Sequence, residues 1–208
     1  MLILASSSKS RKKLLQNADV QFLQVASSFD ESSIKKENIK DLTEELSSSK
    51  AHQTLYKISN NDLNVYSKFS TLEILGCDSM FEFEGKAFGK PSNKDEAYAR
   101  WQKLSSNFGY LHTGHTLLFC ELKNTTNEII LKEKVQEVIS SKIIFEDLNN
   151  IEIKKYIQSN EPLYCAGGFA IEARGGKYIK KLEGCFTNVM GLSLPWLRRK
   201  LLNKDIYL

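Results

Sequence analysis

Residues 1–15 read MLILASSSKSRKKLL, an apolar strand that runs into a serine cluster and then a basic helix. Leu2, Ile3, Leu4 and Ala5 form a short continuous apolar run, the pattern of a buried strand. Ser6, Ser7 and Ser8 end it, and Ser8 or Ser10 is placed to cap a helix whose Leu14 and Leu15 face inward. A strand, a small polar turn and a helix start gather backbone N–H groups and partial positive charge at one point. Such a point favours anions, phosphate above all. Arg11 stands where its fork of donors would close on a phosphoryl oxygen. The same segment also reads as an ordinary capped βα unit with solvated basic residues.

Working outward, VQFLQVASSFDESS (residues 20–33) alternates apolar and polar residues and predicts a second strand ending in an acidic turn at Asp30-Glu31. Leu42, Leu46 and Leu55 give helical spacing from Asp41 to Tyr56, with Lys50 on or near the inner side, and Ser59 to Ser70 reads as a surface loop. Next, LEILGCDSMFEFEGKAFGKPSN (residues 72–93) supplies an apolar strand with an acid at its end, a hairpin turn at Glu84-Gly85 and a Gly-Lys-Pro stop. A helix follows from Asp95 to Leu104, started by Ser92-Asn93. Two long strands, Leu111 to Glu121 and Glu128 to Ile144, read as a meander joined at Asn124–Asn127. Asn149 to Ser159 is a helix, Gly167 to Gly191 holds short strands and tight turns, and Trp196 to Leu202 closes the chain as a helix. The order is that of a mixed α/β protein with one continuous core.

At 208 residues, 41% hydrophobic and 26% charged, the composition is that of a soluble globular protein of one large domain or two small lobes. No segment approaches the roughly 18 uninterrupted apolar residues of a membrane span. The apolar start is too short for a signal peptide and has no basic region before it, so a cytoplasmic location is expected. Cys77, Cys120, Cys165 and Cys185 lie far apart with no CxxC spacing, which favours buried thiols over disulfides or a zinc site. The net charge of +4 is mild. Its basic clusters, Lys9–Lys13 and Arg198-Arg199-Lys200, lack the interleaved aromatics of a single-strand binder.

Asp78 stands at the carboxyl end of an apolar strand, where open α/β sheets place ligands. A carboxylate there holds a divalent metal or takes a proton from water, or is a plain turn aspartate. Glu31 has a similar position after the second strand. Lys90 is set between Gly89 and Pro91, a pinned lysine suited to phosphate. Lys50 on an inward helical face is unusual, because lysines are seldom buried unpaired; snorkelling at the helix edge is its plainer role.

Taken together, LASSSKSRKKLL, FDE, LSSSKA, GCDS, FGKPSN, HTGH, EPLYCAGGFAIEARGG and NVMGLSL resemble, in order and from Leu2 to about Leu202, the Maf-type nucleoside triphosphate pyrophosphatases, also called septum-formation-inhibitor-like proteins. The resemblance implies a single Maf-like domain over residues 1–208. It implies a mixed α/β fold with an elongated central sheet flanked by helices and two lobes around a deep cleft, often dimeric. It further implies hydrolysis of (d)NTPs to the monophosphate and pyrophosphate with a divalent cation, Mg²⁺ or Mn²⁺, as house-cleaning of non-standard or surplus nucleotides linked to cell-division arrest. Carried over position by position, Asp78 becomes the catalytic acid/base, Ser8, Arg11, Lys50 and Lys90 the substrate contacts, and Asp78, Glu31 and Glu172 the metal ligands. A nucleotide substrate, a homodimer, no membrane and no stable nucleic-acid complex complete the expectation. A non-catalytic nucleotide-sensing regulator of division and a nucleic-acid-binding module are the competing readings.

The chain departs from the family at several points. The usual Pro-Arg pair after the serine turn is Lys9-Ser10, which leaves Arg11 as the remaining guanidinium. Lys9 or Lys12 restores charge without bidentate geometry. The loop before His112 is rebuilt as LSSNFGYLHTGH, Cys165 replaces a common lysine and Ser193 a common proline. Glu172 stands where glutamine is common; its carboxylate would bind metal or read a base donor, and the Gly167-Gly168 and Gly175-Gly176 turns favour the metal.

Overall fold

A computed structural model describes residues 1–60, 66, 68–123, 128–204 and 206. The chain divides into two compact units, residues 1–78 with 114–138 and 194–208, and residues 79–113 with 139–193. Among the described residues seven strands form one sheet in the order β2-β1-β3-β5-β6-β7, with β4 paired on β3. The fold is mixed α/β, a central sheet with flanking helices, as expected.

In the first unit β1 (Leu2–Leu4) runs parallel to both β2 (Phe22–Gln24) and β3 (Thr71–Phe83), with Ile3 opposite Leu23 and Ile74. Helix α1 (Lys9–Asn17) starts at Ser8, whose hydroxyl accepts the Arg11 backbone N–H at 3.4 Å. Its buried residues are Arg11, Leu14 and Leu15. That i, i+3, i+4 spacing puts the arginine on the inner face with the leucines. Helix α2 (Ile39–Ser59) is capped by Asn38, which accepts from the N–H groups of Lys40 and Asp41. Its buried side is small and polar: Thr43, Ser47, Ser48, Ala51 and Thr54 accompany Leu46 and Ile58. Two glycines let it lie flush on the strands. A Cβ on Gly76 would sit 2.2 Å from the Ser47 carbonyl oxygen, and one on Gly114 would sit 2.1 Å from that of Thr43. Ile3, Ala5, Ala51, Ile58, Leu72, Ile74, Leu118, Cys120 and Leu122 make the core of this unit.

The second unit is built on the later part of β3, joined to β4 (Lys86–Phe88) by a tight turn at Glu84 and Gly85. Both have positive φ, 51° and 72°, the twist that suits a two-residue hairpin. Asn93 caps α3 (Lys94–Leu104), and a reciprocal Asn149–Glu152 box caps α4 (Asn150–Gln158). Phe81, Trp101, Phe145, Tyr156, Phe169 and Tyr178 meet largely edge-on in the core. β5 (Phe108–Lys123) and β6 (Glu128–Phe145) pass through both units, and β7 (Ile179–Glu183) is antiparallel to β6. The short α5 (Phe186–Val189) belongs to this unit and α6 (Leu194–Leu202) to the first.

Three expectations need correction. The second strand is only three residues long, because the carbonyls of Val25 and Ala26 accept from Thr54 and Lys57 of α2 and leave the ladder. Gly167 to Gly191 is mostly 3₁₀ turn with one strand and one short helix. Of the four thiols, all free, only Cys77 and Cys120 are buried; Cys165 and Cys185 are half-buried. The turn at Asn124–Asn127 and most of the loop at residues 59–70 lie outside the described residues. Among the described residues no helix is long and apolar enough to cross a membrane.

Candidate active site

The site in the first unit grows from the end of the parallel β1–β3 pairing. That pairing stops at Leu4 opposite Leu75, with one further bond from the Ala5 N–H to the Leu75 carbonyl at 2.9 Å. β3 itself continues to Phe83, so Asp78 is inside the strand and not at its end as the sequence suggests. It still lies just past the carboxyl end of the parallel pair, where ligands bind in such sheets. The Asp78 residue is 6% exposed.

Lys50 reaches this carboxylate from the inner side of α2 and pairs with Asp78 Oδ1. The same Nζ lies 2.8 Å from Glu31 Oε1. Glu31 opens a 3₁₀ turn capped by Asp30, whose Oδ1 accepts the Ser32 N–H at 3.0 Å and the Ser32 hydroxyl at 2.7 Å. Asp30 therefore fixes the backbone that presents Glu31, a role its place in the acidic turn signals only weakly. Burial pushes the Asp78 carboxyl above its usual range; Lys50 and then Arg11 pull it down without cancelling the burial, and Glu31 adds to the rise. A buried carboxyl group held above its usual range beside an ammonium group holds a proton more readily than an exposed aspartate does.

Arg11 turns inward. Its Nη1 donates to the Cys77 carbonyl at 2.8 Å and to the Ser6 hydroxyl at 3.2 Å. It thereby ties the serine turn to the residue before Asp78. Ser8 caps α1 and donates its own N–H to Ser6 Oγ at 3.2 Å. The first unit thus brings together Asp78, Lys50, Glu31 and Arg11, with Ser8 on the turn that Arg11 anchors.

Lys90 and Glu172 belong to the second unit. Lys90 is exposed between a buried Pro91 and Gly89, whose carbonyl accepts from Arg100 Nη1 at 2.7 Å. A Cβ on Gly89 would meet nothing, so the arginine and the proline pin this turn, not a close approach at the glycine. Glu172 sits in a segment held by a residue the sequence reading passes over. The Glu161 carboxylate accepts the Gly175 N–H at 2.8 Å, the Arg174 N–H at 3.1 Å and the Tyr156 hydroxyl at 2.7 Å. Burial, then Glu172 and Glu161, push the Cys165 thiol up to about 11, against the pull of Lys90. Lys90, Cys165, Glu161 and Glu172 therefore share one electrostatic neighbourhood.

Two acids of the first unit, Asp78 and Glu31, converge on one Nζ. Hard carboxylate oxygens in that number suit Mg²⁺ or Mn²⁺, which keeps waters and completes its shell with substrate phosphates. Among the described residues no group of three or more His, Cys, Asp or Glu could hold a metal ion from the protein alone. The donor set fits a cation shared with substrate.

The family model for Maf-like proteins matches residues 1–204. The nucleoside triphosphate pyrophosphatase of Prochlorococcus marinus strain AS9601 is 56% identical to this chain, over 97% of it and 99% of the relative. That of strain MIT 9312 is 54% identical, over 99% and 100%, and that of strain MIT 9303 is 41% identical, over 97% and 98%. A match of this length and identity, on a chain whose fold agrees, shows that the protein belongs to the Maf-like protein family.

Proposed function

We propose that the chain is a nucleoside triphosphate pyrophosphatase that cleaves (d)NTPs to the monophosphate and pyrophosphate, with Asp78 as its proton acceptor. The observation that carries this is a buried Asp78, raised by desolvation and bridged through Lys50 to Glu31, in a chain alike over nearly its whole length to proteins of that name. Water attacks the α-phosphorus, the bond to the bridging oxygen breaks, and pyrophosphate leaves while Asp78 takes the proton. Arg11 holds the serine turn in place, and Ser8 with the start of α1 faces the phosphates. Lys50 offsets charge growing on the leaving group. Asp78 and Glu31 would hold a divalent cation; when bound, it lowers the pKa of a water and neutralises phosphate charge. On this reading the enzyme works in the cytoplasm on surplus or non-standard nucleotides.

The test is a panel of nucleoside triphosphates with Mg²⁺ or Mn²⁺, followed by released pyrophosphate. Asp78→Asn should abolish release while the chain stays folded and still binds nucleotide. Near-normal turnover by that variant would remove Asp78 from the chemistry.

A further inference from the structure

On the second unit's sheet, three side chains from three strands form a chain of hydrogen bonds that the nucleotide site does not use. His112 of β5 lies 2.8 Å through Nε2 from Glu82 Oε2 of β3, and 2.7 Å through Nδ1 from Ser140 Oγ of β6. We propose that Ser140, His112 and Glu82 make a second, nucleophilic site, a serine activated for attack on activated acyl donors such as uncharged aryl esters.

The proton positions follow from the partners. A carboxylate only accepts, so Nε2 of His112 carries the hydrogen that Glu82 receives. In the neutral ring Nδ1 is then the acceptor, and the Ser140 hydroxyl donates to it. This is the nucleophile, base and orienter arrangement required of an activated serine. His112 is 2% exposed, and the Tyr110 ring stacks on it at 13° and 6.2 Å, so the imidazole has little freedom to turn. Ser140 itself is exposed.

Strand alternation puts Phe108, Tyr110 and His112 on one face of β5 while Leu111 enters the core behind them. Phe108 and Tyr110 are 49% and 38% exposed and touch edge-on, and Lys142 Nζ lies 4.2 Å above the Phe108 ring. An aromatic surface beside the serine suits an aryl or apolar acyl group. In the reaction Ser140 Oγ bonds to the carbonyl carbon and the ester C–O bond breaks. The hydroxyl proton moves to Nδ1 and then to the departing aryl oxide. Ser140 lies within β6 and not at a strand-to-helix elbow where amides converge on an oxyanion. Each such donor is worth about 10²–10³ in rate and its lack slows both steps; the aryl oxide is a good leaving group in the first step only, so the acyl-serine should accumulate instead of turning over.

The experiment exposes the full chain to p-nitrophenyl acetate, and separately to a fluorophosphonate, reading nitrophenolate release and the modified peptide by mass spectrometry. The expected result is a single burst of up to one equivalent, with the label on Ser140. Ser140→Ala should remove the burst while pyrophosphate release is unchanged. His112→Gln should slow labelling by about 10²-fold or more, the scale of general-base assistance. Because His112 is buried, Glu82→Gln supplies a variant that disturbs the same relay at a partly exposed residue, and it should slow labelling as well. Labelling of Ser140 no faster than that of other surface serines such as Ser92 would overturn the proposal. Labelling equally fast in the Glu82→Gln and wild-type chains would do the same.

Discussion

Replacing Asp78 with asparagine should raise thermal stability at neutral pH while ending catalysis, and the pH dependence of the gain carries the reasoning. Burial holds the Asp78 carboxyl above its usual range despite Lys50 and Arg11. The folded chain therefore keeps this proton more tightly than the unfolded chain does. Stability falls as pH rises from the unfolded aspartate value, about 3.9, towards the folded one, with a limiting slope of about 1.4 kcal/mol per pH unit for one proton. Above the folded value the loss is constant. Asparagine keeps the shape and has no such loss. For a chain of this size 1 kcal/mol moves Tm by roughly 2–4 °C, so the Tm of the variant minus that of the wild type should climb by up to ~3–6 °C per pH unit and then level off. Matched thermal melts at fixed ionic strength between about pH 3.5 and 8 read the difference, and taking it against wild type cancels every other titrating group to first order. A difference that shrinks as pH rises would mean that Lys50 and Arg11 hold the carboxyl low. Asp78 would then be a poor proton acceptor, and the assigned role would fail.

Lys50→Met removes the strongest of the charges that pull Asp78 down, so its carboxyl should rise further and the acidic limb of the pH–rate profile should move up by roughly 1–3 units; an unmoved limb would show that the pair does not set the titration. Trp101→Phe deletes the bond from Nε1 to the Gly168 carbonyl, 2.9 Å long and fully buried, and should lower unfolding free energy in urea by about 1–3 kcal/mol. Gly114→Ala forces a Cβ to within 2.1 Å of the Thr43 carbonyl oxygen; the shift of α2 should cost about 1–3 kcal/mol and reduce turnover too, since α2 carries Lys50.

The strand–serine–helix start was legible because three local signals agree there: apolar run, capping serine, and leucines at helical spacing. Asp78 and Lys50 were each legible as oddities, an acid on an apolar strand and a lysine on an inner face. Their pairing was not, since 28 residues separate them and only the packing of α2 on β3 brings them together. The depth of that packing rests on Gly76 and Gly114, which look like ordinary strand glycines until the helix is laid on them. Arg11 is legible in part: its spacing from Leu14 and Leu15 marks it as inward-facing, while its bond to the Cys77 carbonyl joins segments that no local pattern connects. Glu161 is not legible because two of its three partners are backbone N–H groups of residues 174 and 175, which no side-chain pattern announces.

Stability does not account for the ionic cluster around Lys50. A buried ion pair gives up hydration that its Coulomb attraction repays only when every remaining polar atom is well bonded, and apolar residues of similar volume often do as well or better. Here the balance is visible at the group itself: burial outweighs both neighbouring cations at Asp78, so the carboxylate lowers stability at the pH where it is charged. Glu31, at 57% side-chain exposure, adds a pair to Lys50 that water largely screens. An apolar residue at position 78 would pack as tightly under α2 without that loss. On the proposed function, the acid, the lysine and the arginine tied to the Cys77 carbonyl form a set whose charge is needed during the reaction. On the same reading, a bound triphosphate would meet a lysine placed in advance and a serine turn held by Arg11, and a carboxyl group already destabilised as an anion would gain most by taking a proton from water. The stability that Asp78→Asn should restore is therefore a measure of what the fold gives up to keep that acid ready.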